Sequence, residues 1–143
     1  MKSQLAGLML ILNMFMWATP IIAHHSFSAG YDIEHPVILK GTLTKVEWVN
    51  PHGFIYIDVK NDDGTVANWA IETGAPSSLL RRGLRKTDFP VGMEVTVKGY
   101  RAKNGSHVAN GRSVTLPDGR KLYPGGQTDD GPQDGENPSS QKN

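Results

Sequence analysis

A chain of 143 residues with a formal net charge of +1 and no cysteine excludes several classes of protein at the outset. Its 15 basic and 14 acidic side chains offer a nucleic acid or an anionic membrane too little electrostatic attraction. Without thiols the protein has neither a disulfide nor a cysteine nucleophile, so its possible metal ligands are imidazoles, carboxylates and a free amine.

Residues 1–23 are predicted to be an export signal that is removed. Lys2 gives a positive start, an apolar run follows from Leu5 to Trp17, and Ala23 is the small residue expected at the cut. The apolar run is shorter than the roughly 20 residues that a membrane span needs. We therefore expect a periplasmic or secreted protein that begins at His24 and does not span the membrane.

The processed chain is predicted to have three parts. Residues 24–36 have little periodicity and form an N-terminal arm, ordered or loose, which Phe27 and Tyr31 could attach to the body. Residues 37–123 are predicted to form the folded domain, because β-branched and aromatic residues alternate there with Gly, Pro and Asn-Asp clusters. Residues 124–143 are rich in Gly, Asp, Gln, Ser and Pro, which predicts a disordered tail.

Five strands are predicted in the folded domain. The first covers residues 37–49 and is long, with Gly41 marking a bulge or a bend. The other four show apolar alternation or end at a turn signal, and they cover residues 54–60, 65–72, 93–102 and 107–116. Turns are indicated by Asn61-Asp62-Asp63-Gly64 and by Lys103-Asn104-Gly105-Ser106.

A short helix is predicted over residues 76–83, where Pro76 provides a rigid start and Gly83 a stop. The order of three strands, a helix and two strands is that of the five-stranded OB Greek-key barrel. We therefore predict an all-β, OB-like Greek-key barrel with one short helix between the third and fourth strands. A small open sandwich is the alternative, because strand pairing is not visible in the sequence.

Several segments resemble a known family. They are Ala23-His24-His25-Ser26-Phe27, Val46-Glu47-Trp48-Val49-Asn50-Pro51-His52, Trp69 with Ile71-Glu72, and Leu80-Arg81-Arg82-Gly83. Together, over most of residues 23–119, they resemble a family of small exported bacterial proteins of unknown function. The strand order is also similar to that of exported bacterial OB-fold proteins implicated in binding small ligands or in stress tolerance. Neither resemblance implies an established activity, since fold analogy does not establish function.

The two histidines at the predicted cut indicate a metal site. A chain that begins at His24 offers its amine and a ring nitrogen to Cu(II), in a way that resembles a histidine brace, and His25 follows directly. His52 is the best candidate for a further ligand, because it lies in the loop that borders the ligand face of an OB barrel. His35 and His107 are expected to be exposed loop residues. The alternative is adventitious chelation, and copper is the one cofactor that we expect.

A second hypothesis is an aromatic binding face. The aromatic residues of the folded domain include Trp48, Phe54, Tyr56, Trp69 and Tyr100. Alternation predicts that Trp69 faces inward and Tyr56 outward. A small molecule, an envelope polymer or a partner protein would then contact Trp48, Tyr56 and the helix end at Arg81 and Arg82. Core packing and a solvated helix end explain the same residues without a ligand.

No catalytic motif is recognised, and we predict a binding protein rather than an enzyme. Asp58 and Glu72 are carboxylates that could act on a glycoside if they were close together. The simpler expectation is that Asp58 faces solvent and that Glu72 pairs with Arg81 or Arg82. The oligomeric state cannot be inferred from the sequence.

Overall fold

The computed structural model describes residues 27–125, and this part of the chain is mostly β-structure. Its strands are β1 (Tyr31–Glu47), β2 (Phe54–Lys60), β3 (Val66–Glu72), β4 (Glu94–Ala102), β5 (Val108–Thr115) and β6 (Lys121–Leu122). Helix α1 (Phe27–Gly30) precedes β1, while helix α2 (Pro76–Arg81) and a 3₁₀ turn (Lys86–Asp88) connect β3 to β4. The predicted export signal and the histidines His24 and His25 lie outside the described residues.

The strands form one six-stranded sheet in the order β3-β2-β1-β4-β5-β6. Neighbours in this order are antiparallel. β3 also pairs with β5, in parallel, through Ala70 with Val108, Ile71 with Ala109 and Glu72 with Asn110. Through this additional pairing the edge strand β3 also contacts β5, which is not its neighbour in the order.

Most of the predicted elements are confirmed. β2 has the predicted bounds, and β3, β4 and β5 are shorter than predicted by at most one residue at each end. Helix α2 lies within the predicted segment, and the positive φ of 82° at Gly83 follows it. Only glycine adopts such a backbone conformation without strain, so the predicted stop has a physical basis.

The start of the first strand was predicted wrongly. β1 begins at Tyr31, six residues before the predicted position 37, and its pairing with β4 shifts register between Tyr31 and Pro36. The irregularity that we expected at Gly41 lies instead between Leu43 and Lys45, where the pairing with β2 shifts. At Gly41 a Cβ atom would lie 2.5 Å from the carbonyl oxygen of Asp58, so the glycine permits close approach of β2.

The C-terminal end of the described chain is more ordered than predicted. The short strand β6 was not predicted; it pairs with Val114 and Thr115 of β5. Pro124 and Gly125, which we assigned to the tail, are buried. The N–H of Gly74 donates to the carbonyl of Pro124 over 2.7 Å. The rest of the predicted tail, residues 126–143, lies outside the described residues.

The core lies on one face of the strands. Alternate positions are buried, and the side chains of Ile57, Ile71 and Val97 are completely inaccessible. Each such aliphatic side chain stabilises the fold by about 1.5–3 kcal/mol relative to an exposed position. Within residues 27–125 no helix is long and apolar enough to cross a membrane.

Candidate functional site

His52 lies in the loop between β1 and β2, directly after the cis peptide bond that joins Asn50 to Pro51. Its side chain is 53% exposed. Nδ1 of the imidazole lies 2.5 Å from Oε1 of Glu72, the last residue of β3. The contact with Glu72 therefore uses one ring nitrogen and leaves Nε2 for another partner.

The carboxylate of Glu72 has a second partner on its other oxygen. The hydroxyl of Tyr31, the first residue of β1, donates a hydrogen bond to Oε2. The Glu72 side chain is only 19% exposed, and an enclosed carboxylate needs hydrogen-bond donors because burial of an uncompensated charge is costly. The three side chains form a hydrogen-bonded row, named here the Tyr31–Glu72–His52 row.

Backbone hydrogen bonds fix the loop that carries His52. The N–H of Gly53 donates to the carbonyl of Gly74 over 3.3 Å, and the N–H of Thr73 donates to the carbonyl of Gly53 over 2.8 Å. A Cβ atom at Gly53 would lie 2.8 Å from Oγ1 of the buried Thr73. The glycine is therefore required for this close approach, which holds His52 beside the end of β3.

The start of the described chain packs beside the same row. The ring of Phe27 stacks on Tyr31 with 5.0 Å between centroids, and it meets Tyr100 edge-on at 5.8 Å. Tyr100 is buried in β4. Phe27 therefore packs on residues of the sheet, and from Tyr31 onward the predicted arm is itself part of β1.

The described residues contain no complete metal site. Within residues 27–125 no group of three or more histidine, aspartate or glutamate side chains is close enough to hold a metal ion. Nδ1 of His35 lies 3.0 Å from Oδ2 of Asp32, and the ring of His107 lies 5.0 Å from the ring of Trp69. A metal bound by His52 would need ligands from outside the described range, where His24 and His25 lie.

The residues of the predicted aromatic face have separate surroundings. Trp69 is buried, as predicted. Trp48 is half-buried, and its ring centroid lies 6.2 Å from that of Phe89. The hydroxyl of Tyr56 donates to Oε2 of Glu47 over 2.9 Å, and the ammonium of Lys45 lies 5.1 Å from the Tyr56 ring centroid. One face of Tyr56 is thus covered by a cation, and the described residues show no ring contact between Tyr56 and Trp48.

The side chains of Lys45, Glu47 and Tyr56 change one another's pKa values. Hydrogen bonds from the Lys45 ammonium and then from the Tyr56 hydroxyl hold the pKa of Glu47 below its usual value. The same carboxylate raises the pKa of the Tyr56 hydroxyl, because it accepts the hydrogen bond that ionisation would remove. The carboxylate of Glu47 is therefore the anionic centre of this cluster.

The predicted pairing of Glu72 with Arg81 or Arg82 is wrong. Glu72 contacts Tyr31 and His52, whereas the guanidinium of Arg82 donates to the carbonyls of Tyr123 over 3.2 Å and Gly125 over 2.7 Å. Arg82 thus ties the C-terminal end of the described chain to the helix. Arg81 is exposed at the end of α2.

Asp58 and Glu72 do not form a catalytic pair. Asp58 accepts a 2.7 Å hydrogen bond from Asn68 on the neighbouring strand. Glu72 pairs in register with Phe54, four positions along β2 from Asp58, which corresponds to about 13 Å along a strand. That separation exceeds the distance at which two carboxylates share one glycosidic bond.

Asn110 is a buried polar residue that the sequence analysis did not single out. It pairs in register with Glu72 on one side and with Tyr100 on the other. The residue is 3% exposed, and its Oδ1 has no hydrogen-bond partner in the described part of the chain.

The sequence analysis also did not predict the contact between Tyr31 and Glu72. The contact between His52 and Glu72 could have been predicted from the β2–β3 turn, because the hairpin that folds there brings the start of β2 to the end of β3.

Comparison with known proteins identifies a family without a function. A family described as being of unknown function (DUF6152) matches residues 13–111, a range that includes the whole Tyr31–Glu72–His52 row. This confirms the predicted resemblance to a family of unknown function. Neither the curated proteins nor the solved structures gave a match to the chain.

Proposed function

The chain belongs to this family of unknown function, and we propose from the geometry around His52 that it is an exported copper-binding protein. In this proposal the chain is cut before His24, and Cu(II) is bound by the new amine, His24, His25 and His52. The observation that carries the proposal is the contact between Nδ1 of His52 and the carboxylate of Glu72. The protein binds the metal without catalysing a reaction.

Glu72 gives His52 the orientation of a metal ligand. A carboxylate that accepts the Nδ1–H bond favours the tautomer in which Nε2 carries the free lone pair. Carboxylates commonly hold metal-binding histidines in this way. The His52 side chain is 53% exposed, and Tyr31 in turn holds the carboxylate.

The docked arm limits how far the predicted new start can lie from His52. His24 precedes Phe27 by three residues, which span at most about 10 Å. Phe27 stacks on Tyr31, whose hydroxyl contacts Glu72. We propose that this reach is short enough for the amine, His24, His25 and His52 to bind one metal ion.

The proposed donor atoms favour copper over other divalent metals. They are an amine and imidazole nitrogens, a set that suits square-planar Cu(II), which also binds most tightly in the usual affinity order of divalent metals. The chain has no thiolate to compete for the metal. Deprotonation of the amine on metal binding makes the affinity increase with pH.

The proposal includes an OB-like closure of the sheet. The parallel pairing of β3 with β5 and the position of α2 between β3 and β4 support a Greek-key barrel of this type. In such a barrel the loop between the first two strands borders the ligand face. His52 occupies that loop, so the proposed metal site lies where an OB barrel binds its ligands.

Copper titration of the protein that begins at His24 tests the proposal, with affinity measured by competition calorimetry. We expect one Cu(II) per chain, and at least a tenfold loss of affinity in His52→Ala and in a protein with one alanine before His24, since each removes a ligand. His107→Ala is the matched control, because the His107 ring packs on Trp69. Weak binding that neither change reduces would show adventitious chelation and overturn the proposal.

A further inference from the structure

A cleft between β1 and β4 contains none of the residues of the Tyr31–Glu72–His52 row. It has a volume of about 300 Å³ and is lined by residues 36–38 of β1, residues 98–100 of β4 and Arg112 of β5. Small-molecule sites begin at about this size. The cleft is thus large enough to enclose a compact organic ligand.

A β-bulge and a glycine shape the cleft. Lys98 pairs with Ser113 and the next residue, Gly99, pairs with Gly111, so that Arg112 is the extra residue of a bulge. Bulges often redirect a side chain, and Arg112 is one of the residues that line the cleft. At Gly99 a Cβ atom would lie 2.0 Å from the carbonyl oxygen of Asn110, so this lining position cannot carry a side chain.

The lining combines uncovered apolar surface with positive charge. Ile38 is 68% exposed, the highest value among the large exposed apolar side chains of the described chain. Lys98 is exposed and forms no ion pair within residues 27–125, whereas Lys40 on β1 pairs with Glu94 at 2.8 Å. Arg112 is the second cation, and no carboxylate is among the described residues that line the cleft.

We propose that this cleft binds a small organic anion with an apolar body, such as an aromatic carboxylate or sulfonate. The apolar body packs against Ile38 and Pro36, and the anionic group is bound by Lys98 and Arg112. A guanidinium suits such a group because it can donate paired hydrogen bonds to two of its oxygens. The proposal goes beyond copper binding and does not depend on it.

Fluorescence titration of the full-length processed protein tests this site with two dyes. The anionic probe is 8-anilinonaphthalene-1-sulfonate, and the uncharged probe is N-phenyl-1-naphthylamine, which has the same aromatic body without the sulfonate. We expect the anion to bind about tenfold more tightly. Arg112→Gln and Lys98→Gln should each weaken the anion about fivefold and leave the uncharged dye unchanged, because each removes an ionic contact. Ile38→Ser should weaken both dyes.

Lys86→Gln is the matched control, because it removes the same charge from an exposed residue outside the cleft. Circular dichroism establishes that each variant is folded. Failure of the anionic dye to bind, equal affinity for both dyes, or equal effects of Lys86→Gln and Lys98→Gln would overturn the proposal.

Discussion

Nδ1 of His52 and Oε1 of Glu72 lie 2.5 Å apart, although one residue belongs to a loop and the other ends a strand. The contact exists because Gly53 pairs with Thr73 and Gly74 through the backbone. It gives the exposed imidazole a fixed orientation, which a histidine in a free loop would lack.

Removal of the carboxylate should weaken copper binding without removing a proposed ligand. We expect Glu72→Ala to lower the affinity of the processed protein for Cu(II) by about 10- to 100-fold, because His52 loses the partner that fixes its ring. Glu72→Gln keeps an oxygen acceptor for the imidazole, so its affinity for Cu(II) should decrease less than that of Glu72→Ala. Competition titration measures both variants against Asp62→Ala, an exposed carboxylate in the β2–β3 turn. Equal affinities for all three variants and the wild type would exclude a positioning role for Glu72.

The Tyr31 hydroxyl should stabilise the fold and support the metal site. Tyr31→Phe keeps the ring that stacks on Phe27 but removes the donor to Glu72, so we expect a loss of about 1.5–3 kcal/mol in the free energy of unfolding. Urea denaturation measures this loss. Tyr56→Phe also removes a hydroxyl bound to a carboxylate, that of Glu47. Only Tyr31→Phe should reduce copper affinity, and a reduction of the same size in both variants would contradict the account.

A methyl group at Gly53 should displace the loop that carries His52. In Gly53→Ala the new Cβ would lie 2.8 Å from Oγ1 of Thr73, and we expect a loss of about 1–3 kcal/mol in unfolding free energy together with weaker copper binding. Gly30→Ala is the control, since no atom lies within 4 Å of a Cβ at that position. Thermal denaturation that finds the two variants equally stable would show that the loop adapts without cost.

The contribution of Glu47 to stability should depend on pH. Its pKa in the folded protein is below the usual 4.5, mainly because of the hydrogen bond from Lys45 and then that from Tyr56. The ionised carboxylate therefore stabilises the fold above pH 4.5, and this stabilisation is lost as the pH falls through the folded pKa.

Glu47→Gln removes this titration, so it provides the comparison. The difference in unfolding free energy between wild type and variant should be constant from about pH 7 to pH 5.5 and should decrease below about pH 4.5. Urea denaturation across this range measures it. A difference that stays constant down to about pH 3 would show that the carboxylate is not stabilised by its neighbours.

The strands β2 to β5 could be predicted because short-range signals determine them. Apolar alternation marks their inward faces, and the turns at Asn61–Gly64 and Lys103–Ser106 mark where two hairpins fold back. The start of β1 could not be predicted, because the segment before Pro36 is mostly polar and its pairing with β4 depends on long-range contacts. The two-residue strand β6 is too short to produce a periodic pattern.

The candidate site was only half predictable. His52 was identified from its loop, but its partner depends on the register between β2 and β3 and on the close approach of Gly53 to Thr73. Charge complementarity suggested that Glu72 would pair with Arg81 or Arg82. The sheet instead places Glu72 opposite Phe54, beside His52, and directs Arg82 to backbone carbonyls of the C-terminal segment. Side-chain partners of this kind are determined by tertiary packing.

Electron paramagnetic resonance of the processed protein with one equivalent of Cu(II) tests the central claim most directly. The nitrogen splitting of the spectrum counts the nitrogen atoms bound to copper. We predict that His52→Ala loses one coupled nitrogen relative to the wild type, whereas His107→Ala retains the wild-type spectrum. Identical spectra for the wild type and His52→Ala would show that His52 does not bind the metal and would contradict the account.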